Sequence, residues 1–278
     1  MSPAPLIAID VGNSRIKLGL FVQSVAAGLP EPQATLHLTG RLPEFDRLNA
    51  WLAALVVPPG HHVSMVGGMP PKGGTTSAAP LRWHIGSVNR PAASRLIDWL
   101  RDHRPDDEIM LLTSGDLPLA VKLPRPDMVG VDRLLDGLAA NRLRTPGRPA
   151  VVVDVGSAVT VDLVDADGAF RGGAILPGIA MSARALHEFT DLLPQIDMAE
   201  LAEPPPALGT ATVAAMRSGL FWGAVGAVRQ LVERLTSNRD AEVFLTGGAG
   251  PIVAQLMGSS ARYVPHLTLA GIALADTE

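Results

Sequence analysis

Cysteine is absent from the 278 residues, so disulfides, thiolate metal sites and cysteine nucleophiles are excluded together. Lysine is almost as scarce: it stands only at Lys17, Lys72 and Lys122, and arginine supplies most of the cationic side chains. No basic cluster interleaved with aromatics occurs, and a net charge of −4 gives no footprint for a dedicated nucleic-acid surface. No apolar run approaches the roughly 18 residues of a membrane span. The first residues carry no basic segment, and Asp10 breaks the apolar run, so no secretory leader is expected. A Gly-x-Ser-x-Gly elbow is missing. Histidines at zinc-helix spacing are missing too: His61 and His62 are adjacent, and His187 has no second ligand one turn away. The expectation is a cytoplasmic protein with neither nucleic acid nor membrane as a partner.

With 47% hydrophobic and 18% charged residues, the chain is globular and long enough for two ordinary domains. Its strongest local pattern begins with the apolar run Leu6-Ile7-Ala8-Ile9. Asp10-Val11-Gly12-Asn13-Ser14-Arg15 follows, and then the largely alternating Ile16-Lys17-Leu18-Gly19-Leu20-Phe21. This is strand, tight turn, strand. Gly12-Asn13 is the hairpin signal, because both residue types tolerate positive φ and a two-residue turn needs it. Such a turn leaves backbone N–H groups pointing outward, which suits an anion. Asp10 can hold Mg²⁺ directly or through water, and Lys17 adds a compact positive charge for phosphate oxygens. An ordinary hairpin with two solvated charges fits the same residues. A second copy at 150–165 repeats the plan: apolar strand, Asp154-Val155-Gly156, the hydroxyl residue Ser157, alternating strand. Two such turns opening two halves point to a duplicated domain with a nucleotide in the cleft between the copies.

Further strands are expected at 33–39, 63–66, 108–113, 169–175 and 241–246, and helices at 43–57, 91–103, 129–144, 177–189, 210–237 and 267–275. That succession favours an α/β sheet with helices on its faces. Prolines cluster within 114–126, which sets the expected boundary. Segment 67–77 has the glycines, lysine and hydroxyls of a Walker A loop in the wrong order. The apolar stretch 219–225 fits core or a subunit contact.

Gly130-Val131-Asp132-Arg133 opens a helix whose buried stripe is Val131, Leu134, Leu135 and Leu138. Asp132 and Arg133 can project beside that stripe. An aspartate there can take a proton from an alcohol, and an arginine can grip a carboxylate through two parallel hydrogen bonds. A first-turn aspartate favoured by the helix dipole, next to a solvated arginine, fits the spacing equally.

Taken together these motifs resemble the type III pantothenate kinases, within the acetate and sugar kinase, heat-shock ATPase and actin superfamily. The resemblance implies an α/β fold of two duplicated ribonuclease-H-like domains with a nucleotide cleft between them. Residues 1–117 would carry the phosphate-binding hairpin, and 118–278 the substrate and cation motifs. It implies ATP-dependent phosphorylation of the primary hydroxyl of pantothenate to 4'-phosphopantothenate, the first step of coenzyme A biosynthesis. Asp132 is then the catalytic base, and Gly130, Val131, Asp132, Arg133 and Thr190 contact pantothenate. Asp10, Val11, Gly12, Asn13, Ser14, Arg15, Ile16, Lys17 and Ser157 bind ATP. Asp154 holds K⁺ or NH₄⁺, Asp10 holds Mg²⁺, and the turn 247–250 receives adenosine. The family is homodimeric. Leu123 stands where the family usually has a substrate-contacting tyrosine, and 207–212 lacks the usual basic and asparagine residues. The alternatives are another small-molecule kinase of the superfamily and a non-catalytic regulatory relative that binds nucleotide.

Overall fold

The computed structural model describes residues 4–22, 28–39, 44–55, 80–197, 203–237, 240–258 and 261–275. The strand expected at 63–66, the segment 67–77 with Lys72, and His61 and His62 lie outside the described residues.

Strands β1 (Leu6–Val11), β2 (Arg15–Phe21), β3 (Ala34–Thr39), β4 (Arg82–Ser87) and β5 (Glu108–Leu111) form one sheet, in the order β3-β2-β1-β4-β5. β2 is antiparallel to β1 and β3, whereas β4 is parallel to β1 and β5. Strands β6 (Ala150–Val155), β7 (Ala158–Val164), β8 (Phe170–Pro177), β9 (Glu242–Thr246) and β10 (Ala261–Tyr263) form the second, in the order β10-β9-β6-β7-β8. Read from its other edge, this is the same order with the same pattern of directions. The duplication is therefore one of topology as well as of motif.

The helices are α1 (Phe45–Ala54), α2 (Arg90–His103), α3 (Val131–Leu143), α4 (Ile179–Glu188), α5 (Thr212–Thr236), α6 (Gly250–Met257) and α7 (Leu267–Leu274). All six expected helices occur, with ends shifted by a few residues. Three elements escape the sequence patterns. β4 is buried along its middle and carries Arg82 and His84, so it shows no alternation, while α6 and β10 are short.

One face of the first sheet packs Ile7, Ile9, Val11, Leu18, Trp83 and Ile85 against Leu48 and Leu52 of α1 and Leu96 and Leu100 of α2. The other face receives α3 and α7. At Gly86 of β4 a Cβ would lie 2.6 Å from Leu135 of α3, and at Gly271 of α7 it would run into the Leu135 carbonyl. Both covered faces explain why the first four residues of β1, Leu6 to Ile9, form a continuous apolar run. The second sheet packs Val151, Val153, Val159 and Val161 against Phe221, Val225 and Val228 of α5. Phe221 and Val225 are thus core, while Gly219 and Gly223 on the same helix are exposed.

Contacts divide the chain into two units: Met1–Pro118 with Asp127–Ala139 and Thr268–Glu278, and Leu119–Pro126 with Ala140–Leu267. These are not consecutive halves. Most of α3 and α7 joins the first unit because both pack on its sheet, a long-range arrangement that chain order does not encode.

The corner between α2 and β5 is held by Asp107. Its carboxylate accepts from Arg104 Nε at 2.6 Å and Nη2 at 3.0 Å, from the Trp83 indole at 2.7 Å and from the Leu81 amide at 3.0 Å.

Candidate active site

The first hairpin differs from its expected form. The last ladder pair is Val11 with Ile16, leaving 12–15 as the connection, and Gly12 N–H closes it by donating to Arg15 O at 3.0 Å. Neither Gly12 nor Asn13 adopts positive φ. The four-residue connection removes the need for positive φ that a two-residue turn carries. Space beside Gly12 is tight, since a Cβ there would lie 3.1 Å from the Arg15 oxygen. Asn13, Ser14 and Arg15 are exposed.

Asp10, only 8% exposed, faces Lys17 across the ladder with Nζ 3.3 Å from Oδ2. Asp10 also stands in register with Gly86, against which Leu135 of α3 packs. The carboxylate and its lysine therefore emerge on the face that α3 covers. Among the described residues no three histidine or acidic side chains gather as a metal cluster. Asp10 fits Mg²⁺ as a single protein ligand, the usual pattern when phosphates and waters supply the rest.

The start of α3 lies on that same face. Gly130 O accepts from Arg133 N–H at 3.1 Å, and Asp132 Oδ1 accepts from the same amide at 2.8 Å. The carboxylate folds over Gly130, where a Cβ would be 2.5 Å from Oδ1, so a larger residue there would push the Asp132 side chain out of this position. Val131, Leu134, Leu135 and Leu138 are buried as the spacing predicts, and Asp132 and Arg133 are half-buried.

Sequence reasoning missed the residues that touch both motifs. Val88 N–H donates to Val11 O at 3.2 Å, and a Cβ on Gly130 would lie 3.6 Å from the Val88 side chain. Next to it, Asn89 caps α2 by accepting from Ala92 N–H at 3.3 Å, and its amide donates to Gly12 O at 3.4 Å. The signal for the cap was present: asparagine followed two residues later by Pro91 in the first helical turn.

In the second unit the last ladder pair is Val155 with Val159, leaving 156–158, one residue fewer than in the first copy. Gly156 N–H donates to Ala158 O at 3.0 Å, and Gly156 and Ser157 are exposed. Gly247, at φ +88°, passes so close that a Cβ would collide with Asp154 Oδ1 and the Val155 carbonyl. Ala249 N–H then donates to Val155 O at 3.3 Å, and Gly178 N–H to Ser157 O at 3.1 Å. The turn 247–250 is thus brought onto the Asp154 loop. A carboxylate beside main-chain carbonyls is the all-oxygen donor chemistry of a hard cation.

Thr190 lies just beyond α4, exposed, with its hydroxyl donating to Leu186 O at 2.6 Å and its lone pairs left to accept. Leu123 rests on Gly172, whose Cβ would be 3.2 Å from the leucine.

The profile of the type III pantothenate kinases matches residues 6–234. The protein of that name from Paramagnetospirillum magneticum is 42% identical over 270 residues, covering 96% of this chain and 95% of the relative. Its counterpart from Gluconobacter oxydans is 37% identical over 271 residues, covering 97% and 92%. A solved structure described as a conserved putative Baf family transcriptional activator from Campylobacter jejuni superposes with a TM-score of 0.56 at 16% identity, covering 97% and 96%. A putative 2-dehydro-3-deoxygalactonokinase from Sinorhizobium meliloti gives 0.54 at 18% identity, covering 97% of each chain. At these identities the structural likeness speaks to the fold alone. The sequence matches go further and extend across both hairpins and the Gly-x-Asp-Arg turn, so the chain belongs to the type III pantothenate kinase family.

Proposed function

We infer that this chain phosphorylates the primary hydroxyl of pantothenate with ATP, giving 4'-phosphopantothenate as the first step of coenzyme A biosynthesis. The observation that carries the reading is the start of α3, with Asp132 and Arg133, on the sheet face where Asp10 and Lys17 emerge. Phosphoryl transfer asks for alignment and charge stabilisation rather than covalent participation by the protein. The 12–15 connection offers exposed amides to phosphate oxygens, and Lys17 adds charge. Mg²⁺, when bound at Asp10, neutralises charge on those oxygens. Asp132 takes the hydroxyl proton, Arg133 grips the pantothenate carboxylate, and Thr190 accepts from the substrate. In the second unit Ser157 contacts ATP, and the Asp154 loop holds K⁺ or NH₄⁺. Arg133 favours an acid-bearing alcohol over a neutral sugar.

The second unit also supports a homodimer. A groove of about 230 Å³ lined by Leu176, Pro177, Ile179, Gly219 and Gly223 opens on it. Ile175 is 63% and Phe189 84% exposed on the flanking elements. Apolar surface of this kind marks an interaction site. No described helix is long and apolar enough to cross a membrane, and the reaction belongs in the cytoplasm.

A coupled ADP-release assay with pantothenate, sugars and acetate as acceptors tests the reading. Turnover with pantothenate is expected. Activity only on a sugar or acetate favours another kinase of the superfamily, and activity on none favours the nucleotide-binding regulator. Asp132→Asn keeps the oxygen that accepts Arg133 N–H but loses the base, and turnover should fall roughly 10²- to 10⁴-fold. Near-normal turnover removes Asp132 from the role of base.

A further inference from the structure

We propose that Asn89 is a positioning residue for the phosphate-binding turn, acting on the peptide that joins Gly12 to Asn13. The proposal rests on the kinase reading of that turn and deepens it.

Three contacts fix the orientation of the Asn89 side chain. Its Oδ1 accepts from Ala92 N–H at the first turn of α2. Its main-chain N–H donates to Ser87 Oγ at 3.1 Å, which holds the residue against the end of β4. With Oδ1 committed to the helix, the amide nitrogen is directed away from it, and it reaches Gly12 O at 3.4 Å.

Capping alone does not account for asparagine here. Serine or aspartate caps a helix about as well. What asparagine adds is the NH₂ group, and in this fold that group meets the turn.

The consequence follows from peptide geometry. In a planar trans peptide the C=O and the following N–H point in opposite directions. A donor that grips Gly12 O therefore fixes the direction of Asn13 N–H, which belongs to an exposed residue at the tip of the connection. At 3.4 Å the bond is long, so its value lies in aiming a donor rather than in stability. The neighbouring Val88 N–H to Val11 O bond anchors the same connection one residue earlier. Helix α2 thus serves as a fixed post against which the phosphate turn is set, and preorganised donors of this sort cost no rearrangement when an anion arrives.

The test uses the whole chain and two variants that keep a capping oxygen but lose the amide, Asn89→Ser and Asn89→Thr, so that one informative variant remains if the other fails to fold. Binding of a non-hydrolysable ATP analogue is measured by calorimetry, and KM for ATP and for pantothenate by steady-state turnover. The expected result is a loss in analogue affinity and a rise in KM for ATP of roughly 3- to 10-fold, the range of one hydrogen bond. KM for pantothenate and the unfolding temperature should stay near wild type. Unchanged analogue affinity overturns the proposal, as does a parallel rise of both KM values with a fall in unfolding temperature, which marks a merely structural cap. A wild-type chain that binds the analogue but does not phosphorylate pantothenate overturns the kinase reading alone. The calorimetric comparison still decides the role of Asn89 in that case.

Discussion

Asp107→Ala should destabilise the first unit severely without touching the chemistry. The carboxylate is 3% exposed, its partner Arg104 is 10% exposed, and the pair is bidentate. Alanine would leave a largely buried guanidinium without its counter-charge, which costs about 3–5 kcal/mol. It would also strip the acceptor from the Trp83 indole and the Leu81 amide, both on residues of the core. These losses overlap, because all four bonds end on one group, so about 3–5 kcal/mol stands for the whole. For a unit of this size each kcal/mol shifts the midpoint by roughly 2–4 °C, so thermal unfolding by calorimetry should fall by about 6–20 °C. Pairing the change with Arg104→Met should recover part of the loss, since removing both charges leaves no orphan. Turnover at a temperature where the variant is folded should match wild type, because the pinned corner lies at the start of β4 and the site residues at its end. A midpoint within about 2 °C of wild type would refute the account, as it would show that Asp107 is solvated in solution.

The Asp116 carboxyl is held below the ordinary carboxylate range by the Thr113 hydroxyl at 2.6 Å and the Thr113 amide at 2.7 Å. Because its folded pKa lies below its unfolded one, the stabilisation is present above the unfolded value and is lost as pH falls through the depressed one. Titration by carbon NMR should show the low midpoint, and Thr113→Ala should move it upward; an unmoved midpoint counts against the hydroxyl as the chief cause. Gly247→Ala combines a φ of +88° with a collision against Asp154 and should cost about 1–3 kcal/mol. On the proposed role of Asp154 as the cation ligand, K⁺ dependence of turnover should also weaken, and an unchanged K⁺ titration in the variant would separate Asp154 from the cation.

How far the fold was legible depended on whether each signal was local. β1 and β6 announced themselves as apolar runs ending in Asp-x-Gly, and the α3 stripe of Val131, Leu134, Leu135 and Leu138 came out buried as its spacing requires. β4 gave no such signal: Trp83, His84, Ile85 and Gly86 are all buried, so the strand does not alternate. The Gly12-Asn13 preference for positive φ was a sound local rule that lost to the longer 12–15 connection. The second partner of Asn89 lies 77 residues away in the chain, and Gly271 meets Leu135 only because α3 and α7 share a sheet face. Periodicity reports which face of an element is covered but not by what. For that reason the motif residues were legible and the residues that brace them were not.

The two copies of the fold carry the same aspartate to different ends. Asp10 and Asp154 each occupy the next-to-last position of a strand whose neighbours are antiparallel on one side and parallel on the other. Strand order reverses direction there, and in open α/β sheets that is where ligands collect at the carboxyl ends. What differs is the register partner. Asp10 stands opposite Lys17, an ion pair of zero net charge whose lysine can turn to phosphate oxygens. Asp154 stands opposite Thr160, which brings a hydroxyl and no charge. It lies under Gly247, where a Cβ would also meet the Val155 carbonyl. On the proposed function, the lysine opposite Asp10 suits an anion with its metal, and the neutral threonine opposite Asp154 suits a monovalent cation. The same strand order carries both, with a connection one residue shorter in the second copy.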